Sequence, residues 1–265
     1  MTGKNLLAAL AFAAVAVAAL PDPAASGREK QESRGLGIDP ARRYEACMAL
    51  TRRNPEQAFG AALAWRDMGG GEAADHCTAA ALMGLKQYGE AARRFESLAQ
   101  RIKAEPPFKA ALLADAAQGW IMDGRPGRAE NVLTAALGLK PGDPKLLVDR
   151  ATARAGQGAY AKAIEDLDRA IEKEPGLAEA FVFRASAKRF LGDLAGALKD
   201  ADRALRFDPR QPEGLLERGI IRRLMGNKAE ARKDWLNILD DAPGTPAARA
   251  ARDNLEKMDL KVKQD

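Results

Sequence analysis

The sequence predicts an all-α fold, a solenoid of stacked helix–turn–helix units closed by a final helix. Three observations carry that prediction. Pro141, Pro175, Pro209 and Pro243 recur at a spacing of 34, and so do Gly124, Gly158, Gly192 and Gly226. Two alanine series keep the same period: Ala129, Ala163, Ala197 and Ala231, and Ala117, Ala151, Ala185 and then Gly219. Residues 144–177 and 178–211 are back-to-back copies of one pattern, without gap or insertion.

Each register has a physical reading. The Gly sits between two apolar-periodic runs, where the chain reverses and positive φ is wanted. The Pro closes the second run, because a helix does not pass easily through it. The Ala positions fall on helix faces that must approach a neighbour closely, where a larger side chain overpacks at ~1–3 kcal/mol. One such pair of helices cannot bury its own apolar face, so the units must stack.

In chain order, residues 1–26 read as an export signal. Lys4 is followed by the apolar run Leu6–Leu20, of signal-core length and short of the ~20 residues a membrane span needs. Ala24 and Ser26 are small and spaced for cleavage after Ser26. Such a chain is expected in a bacterial periplasm, with no stable membrane span after cleavage; an uncleaved N-terminal anchor is the alternative. Residues 27–39 are polar and aperiodic, a disordered lead-in. Residues 40–109 hold two degenerate helical pairs. Four regular units follow at 110–143, 144–177, 178–211 and 212–245. The step from Ala91 to Ala129 exceeds the period by four. Four residues are about one helical turn, so a longer second helix in the preceding unit would keep its face in register. Residues 246–265 form a capping helix and tail, with Ala247, Ala251, Leu255 and Met258 on one face and charges on the other.

The period and its small residues resemble the tetratricopeptide repeat (TPR) family. Ala117, Ala151, Ala185 and Gly219 fall where that family keeps a small residue in its first helix. Ala129, Ala163, Ala197 and Ala231 fall on the Ala of its second helix. The later small position is Ala136, Ala170 and Ala204, but Ile238 in the last copy. The bulky position between is Leu133, Leu167, Ala201 and Trp235. The resemblance implies a right-handed superhelical solenoid and a partner peptide held on the concave face made by the first helices.

Composition limits the function classes. The net charge is +5 with a pI near 9.2, yet residues 144–177 carry six basic and six acidic residues. Without a basic stripe interleaved with aromatics, nucleic acid is not an expected partner. His76 is the single histidine and has no clustered ligands, so neither a metal nor a cofactor is expected. Adjacent Cys77 does not make a catalytic pair with it, since neighbours on a helix point apart. Motifs for a nucleophile elbow, a phosphate loop or a zinc protease are missing, and the expectation is that the chain is not an enzyme.

Cys47 and Cys77 are the two cysteines. In an oxidising compartment an even count points to a disulfide, and both lie on the first helices of the first two units. The bridge would close a loop of about 30 residues, worth ~3.5–4 kcal/mol by loop-closure entropy. Two separate buried thiols are the alternative. A second pattern lies inside the repeats. Arg150 precedes Asp166, Arg184 precedes Asp200 and Arg218 precedes Asp234, each at a spacing of 16; one repeat earlier the pair becomes Ala116 and Val132. Because both members turn apolar together, we expect each Arg to meet an Asp in its own or an adjacent repeat, as a partly buried, structural ion pair.

Carried over by register, the concave surface of the regular units includes Val182, Ser186, Arg189 and Phe190, then Leu216, Ile220 and Arg223. Val148, Thr152, Val182 and Ser186 stand where a chaperone-tail carboxylate clamp needs Lys and Asn, so that function is rejected. The expectation is a non-enzymatic scaffold that holds an apolar peptide or helix of a protein partner, with Phe190, Val182 and Ile220 as anchors and Arg189 and Arg223 at the rim. The alternative is a structural subunit of a cell-envelope complex assembling through its capping helix.

Overall fold

A computed structural model of the chain describes residues 39–262. The expected export signal, its cleavage site and all but the last residue of the lead-in lie outside the described residues, as do positions 263–265. Among the described residues every regular element is a helix. They divide into two compact units, before and after the boundary between Lys140 and Pro141.

The N-terminal unit contains α1 (Pro40–Arg53), α2 (Pro55–Asp67), α3 (Gly71–Gly84), α4 (Tyr88–Arg101), α5 (Pro106–Met122) and α6 (Pro126–Leu139). Each helix packs on the next, and α1 also packs on α3. Prolines open α1, α2, α5 and α6, where the missing N–H costs no helical hydrogen bond. Asn54 ends α1 and starts α2, its side chain accepting from the Gln57 N–H at 3.1 Å. The Cys47–Cys77 disulfide is present and joins α1 to α3, with Cα atoms 6.2 Å apart. It staples the two least regular hairpins.

The excess of four residues lies elsewhere than expected. The second helix α4 has 14 residues, the same length as α6, while α5, a first helix, has 17. The prolines at 106 and 107 start a helix as well as they stop one, so the extra turn was added at the front of α5.

The C-terminal unit contains α7 (Pro144–Gly156), α8 (Tyr160–Lys173), α9 (Ala178–Phe190), α10 (Leu194–Phe207), α11 (Pro212–Leu224), α12 (Lys228–Asp241) and α13 (Pro246–Val262). The first helices α7, α9, α11 and α13 lie side by side, and each second helix packs between two of them. This is the right-handed solenoid architecture with a capping helix. The turn glycines at 158, 192 and 226 have φ of 78°, 86° and 88°, a left-handed conformation that disfavours any Cβ. The alanine registers are fully buried, as the close approach of helices requires. Beneath α13, Ala247, Ala248, Ala251, Leu255 and Met258 close over Leu215, Leu216, Ile220, Trp235 and Ile238.

The repeating Arg and Asp residues meet within their own repeats. Arg150 donates to both oxygens of Asp166 at 2.9 and 2.7 Å, Arg184 to Asp200 at 2.8 and 2.7 Å, and Arg218 to Asp234 at 3.0 and 2.7 Å. Further contacts extend these pairs. A second cation one turn on reaches the same carboxylate: Arg154 at 2.8 Å, Lys188 at 2.7 Å and Arg222 at 2.8 Å. Arg184 also reaches back to Asp168 of the previous repeat at 2.6 Å, and Arg218 to Asp202 at 3.0 Å. The guanidinium fork thus ties successive hairpins together and fixes their register.

Candidate functional site

The first helices α7, α9 and α11 present equivalent residues at a spacing of 34. Four side chains expected to line an open groove are instead interior. Val182, Ser186, Leu216 and Ile220 are 2%, 0%, 3% and 5% exposed. Val182 packs with Phe181 and Ala204, while Leu216 and Ile220 belong to the core that α13 covers. They hold neighbouring helices together and are not available as anchors. The reading of an apolar groove centred on Val182 and Ile220 is corrected accordingly.

The remaining three expected residues sit nearer the surface. Arg189 is committed within the chain: its Nε donates to Glu217 at 2.5 Å and its Nη2 to the other carboxylate oxygen at 3.3 Å. Glu217 lies on α11 and is 1% exposed. Burial holds its carboxyl above the usual range, although Arg189 pulls it down. The same guanidinium lies 4.3 Å from the Phe190 ring centroid. Phe190 is half-buried and stacks on Tyr160 of α8, ring centroids 4.7 Å apart and planes parallel within 1°. Arg223, one repeat after Arg189, is half-buried. Its Nε is shut off from solvent and meets no hydrogen-bond acceptor among the described residues.

Leu191, Met225 and Asp149 were missed in the sequence. Leu191, Leu224 and Met225 expose 55%, 50% and 41% of their surface at the C-terminal ends of α9 and α11. Leu191 and Met225 repeat at one register, which was the available signal, and Leu224 repeats the register of Phe190. Glu179 and Glu213, at the other end of α9 and α11, gather with Asp149 of α7. Burial, then the negative charges of Glu179 and Asp143, push the Asp149 carboxyl up to about 7, against Lys145. Glu179 is raised by burial and by Glu213. Among the described residues no group of His, Cys, Asp or Glu is arranged to hold a metal ion, and no helix is long and apolar enough to cross a membrane.

No protein-family model and no curated relative matches the sequence. Solved structures do resemble the chain. YrrB, described as a TPR protein with an unusual peptide-binding site, is 19% identical over 67% of this chain and 90% of its own, with a TM-score of 0.52. MamA 41-end from Desulfovibrio magneticus RS-1 is 16% identical over 68% and 93%, also at 0.52. The fold is TPR-like. Phe190, Arg223, Leu224 and the Asp149–Glu179–Glu213 cluster all lie on the first helices α7, α9 and α11 of the C-terminal unit.

Proposed function

We propose that the chain is a non-enzymatic scaffold that binds a peptide segment of a protein partner on the first-helix face of residues 144–224. One observation carries the reading: Leu191 and Met225, at one register of successive repeats, are left exposed together with Leu224 beside Met225. Exposed aliphatics aligned between neighbouring repeats form a patch that a partner can desolvate. The like-charged carboxylates Asp149, Glu179 and Glu213 lose repulsion when a cationic group of a partner sits beside them. The stacked repeats are preformed, so binding needs little ordering of the chain. The peptide site in the description of YrrB, a structure of the same fold, is in keeping with this reading. The proposal includes work in the cell envelope with the signal removed, and the apolar run Leu6–Leu20 and the disulfide support that part of it.

The test is pull-down of partners from an envelope extract by three full-length proteins: wild type, Phe190→Ala/Leu224→Ser, and Arg249→Glu/Glu256→Arg on the exposed face of α13. Loss of one defined partner with the first variant alone supports peptide binding on this face. Loss with the α13 variant alone supports the second reading, a structural subunit assembling through its cap. The charged outer face of α13, where Arg249, Arg252 and Glu256 are exposed, motivates that second reading.

A further inference from the structure

We infer that Arg223, next to Leu224, is a subsite for a side-chain carboxylate of an aliphatic peptide. The inference rests on the peptide-binding reading and specifies its partner. It follows from comparing two equivalent arginines. Arg189 and Arg223 occupy one register in successive repeats. Arg189 finds its carboxylate on Glu217, which lies on the next first helix of the stack. The same step taken from Arg223 leads to Ala251 on α13, the next first helix after α11. Ala251 is fully buried and has nothing to offer a guanidinium.

The consequence is visible at Arg223. Its Nε–H is buried and unmatched, whereas the Arg189 Nε–H is matched by Glu217. A buried donor left without an acceptor costs free energy that an incoming acceptor recovers. Proximity to the C-terminal end of α11 favours the positive charge but does not supply an acceptor to the side chain. A carboxylate answers the charge and the fork geometry together. Leu224 follows Arg223 directly and is half exposed, and Phe190 lies at the same register one repeat earlier. The matching ligand is therefore a Glu or Asp with aliphatic neighbours, repeating from outside what Glu217 does for Arg189. The carboxylate belongs to a side chain rather than a chain terminus, because Glu217 is the internal precedent.

The experiment selects a phage-displayed dodecapeptide library, joined to the coat protein through its C-terminus, on the full oxidised chain. Selected sequences are then made as C-terminal amides and titrated by fluorescence anisotropy. The inference expects enrichment of Glu or Asp beside Leu, Ile or Val. It expects a loss of roughly tenfold or more with Arg223→Gln, a smaller loss with Leu224→Ser, and partial retention with Arg223→Lys. Circular dichroism melts establish that each variant is folded. Replacing the selected acid by its amide should weaken wild type strongly and leave Arg223→Gln unchanged. Peptides that bind on this face but are indifferent to Arg223, or that lack an acid, overturn the subsite and leave peptide binding standing. No enrichment overturns both.

Discussion

Gly219 and Trp235 fill one volume: a Cβ built on Gly219 overlaps the Trp235 indole at Nε1 and lies 2.8 Å from its Cδ1. The other repeats place Ala117, Ala151 and Ala185 at this position, with Leu133, Leu167 and Ala201 at the bulky one. In the last repeat the indole takes the methyl's space. Its N–H is directed at the Leu216 carbonyl at 3.4 Å, and the ring is fully buried beneath α13. Gly219→Ala should therefore destabilise by about 1–3 kcal/mol, despite the better helix propensity of Ala. Adding Trp235→Leu should recover part of that loss. Thermal unfolding of the two variants checks it, and a neutral Gly219→Ala would refute the shared volume.

The shared carboxylates alter what the Arg–Asp pairs predict. Removing one partner of an isolated buried pair costs roughly 3–5 kcal/mol. At Asp200, however, Lys188 remains at 2.7 Å after Arg184 is gone, and Asp168 is exposed enough to hydrate. Arg184→Ala should cost less, about 1–3 kcal/mol. Asp200→Val should cost more than Arg184→Ala, because it strands two cations. The double variant should fall well short of the sum. A double-mutant cycle in urea measures the coupling, and strict additivity would count against a linked network.

Lys86 has φ of 61°, the one positive φ outside glycine among the described residues. It closes the turn between α3 and α4, where the regular units use Gly124, Gly158, Gly192 and Gly226. Left-handed geometry costs a residue with a Cβ roughly 1–2 kcal/mol. Glycine returns part of that in chain entropy. Lys86→Gly should raise stability by about 0.5–1 kcal/mol, seen as a higher melting temperature with the disulfide intact. A lower one would mean that the Lys side chain contributes more than its backbone strain removes.

Much of the fold was legible because a stack repeats its constraints. Turn glycines, closing prolines and buried alanines recur at one period, so each was stated four times. The spacing of Arg and Asp was visible for the same reason. Arg154, Lys188 and Arg222 also recur at that period, and their role as second cations could have been read; it was not. The groove was harder. Arg189 with Glu217 occurs once, so no period announces it. The burial of Val182, Leu216 and Ile220 depends on how closely adjacent first helices approach and on where α13 lies. Apolar residues at such positions read the same whether they face a partner or a neighbour.

His76 gives the chain an acid-sensitive point beside the disulfide. The imidazole is fully buried on α3, with Nδ1 2.7 Å from the Tyr44 hydroxyl and the rings of Phe95 and Phe108 edge-on. Its Nε2 meets no partner among the described residues. Burial lowers its pKa from 6.5 to about 4, so the unfolded chain binds the proton more readily than the folded one. The resulting stability is present above pH 6.5 and is lost as pH falls towards 4, amounting to about 3 kcal/mol at most. Asp149 acts in the opposite sense. Its carboxyl is raised to about 7, so its contribution is greatest at acid pH and is lost as pH rises through 7. The two are separated by comparing wild type with His76→Phe, in which only the first contribution is absent. Between pH 7 and pH 4.5 wild type should lose more stability than the variant, by about 1–3 kcal/mol. Chemical unfolding at the two pH values measures the difference, and parallel losses in both proteins would show that His76 does not carry the acid sensitivity.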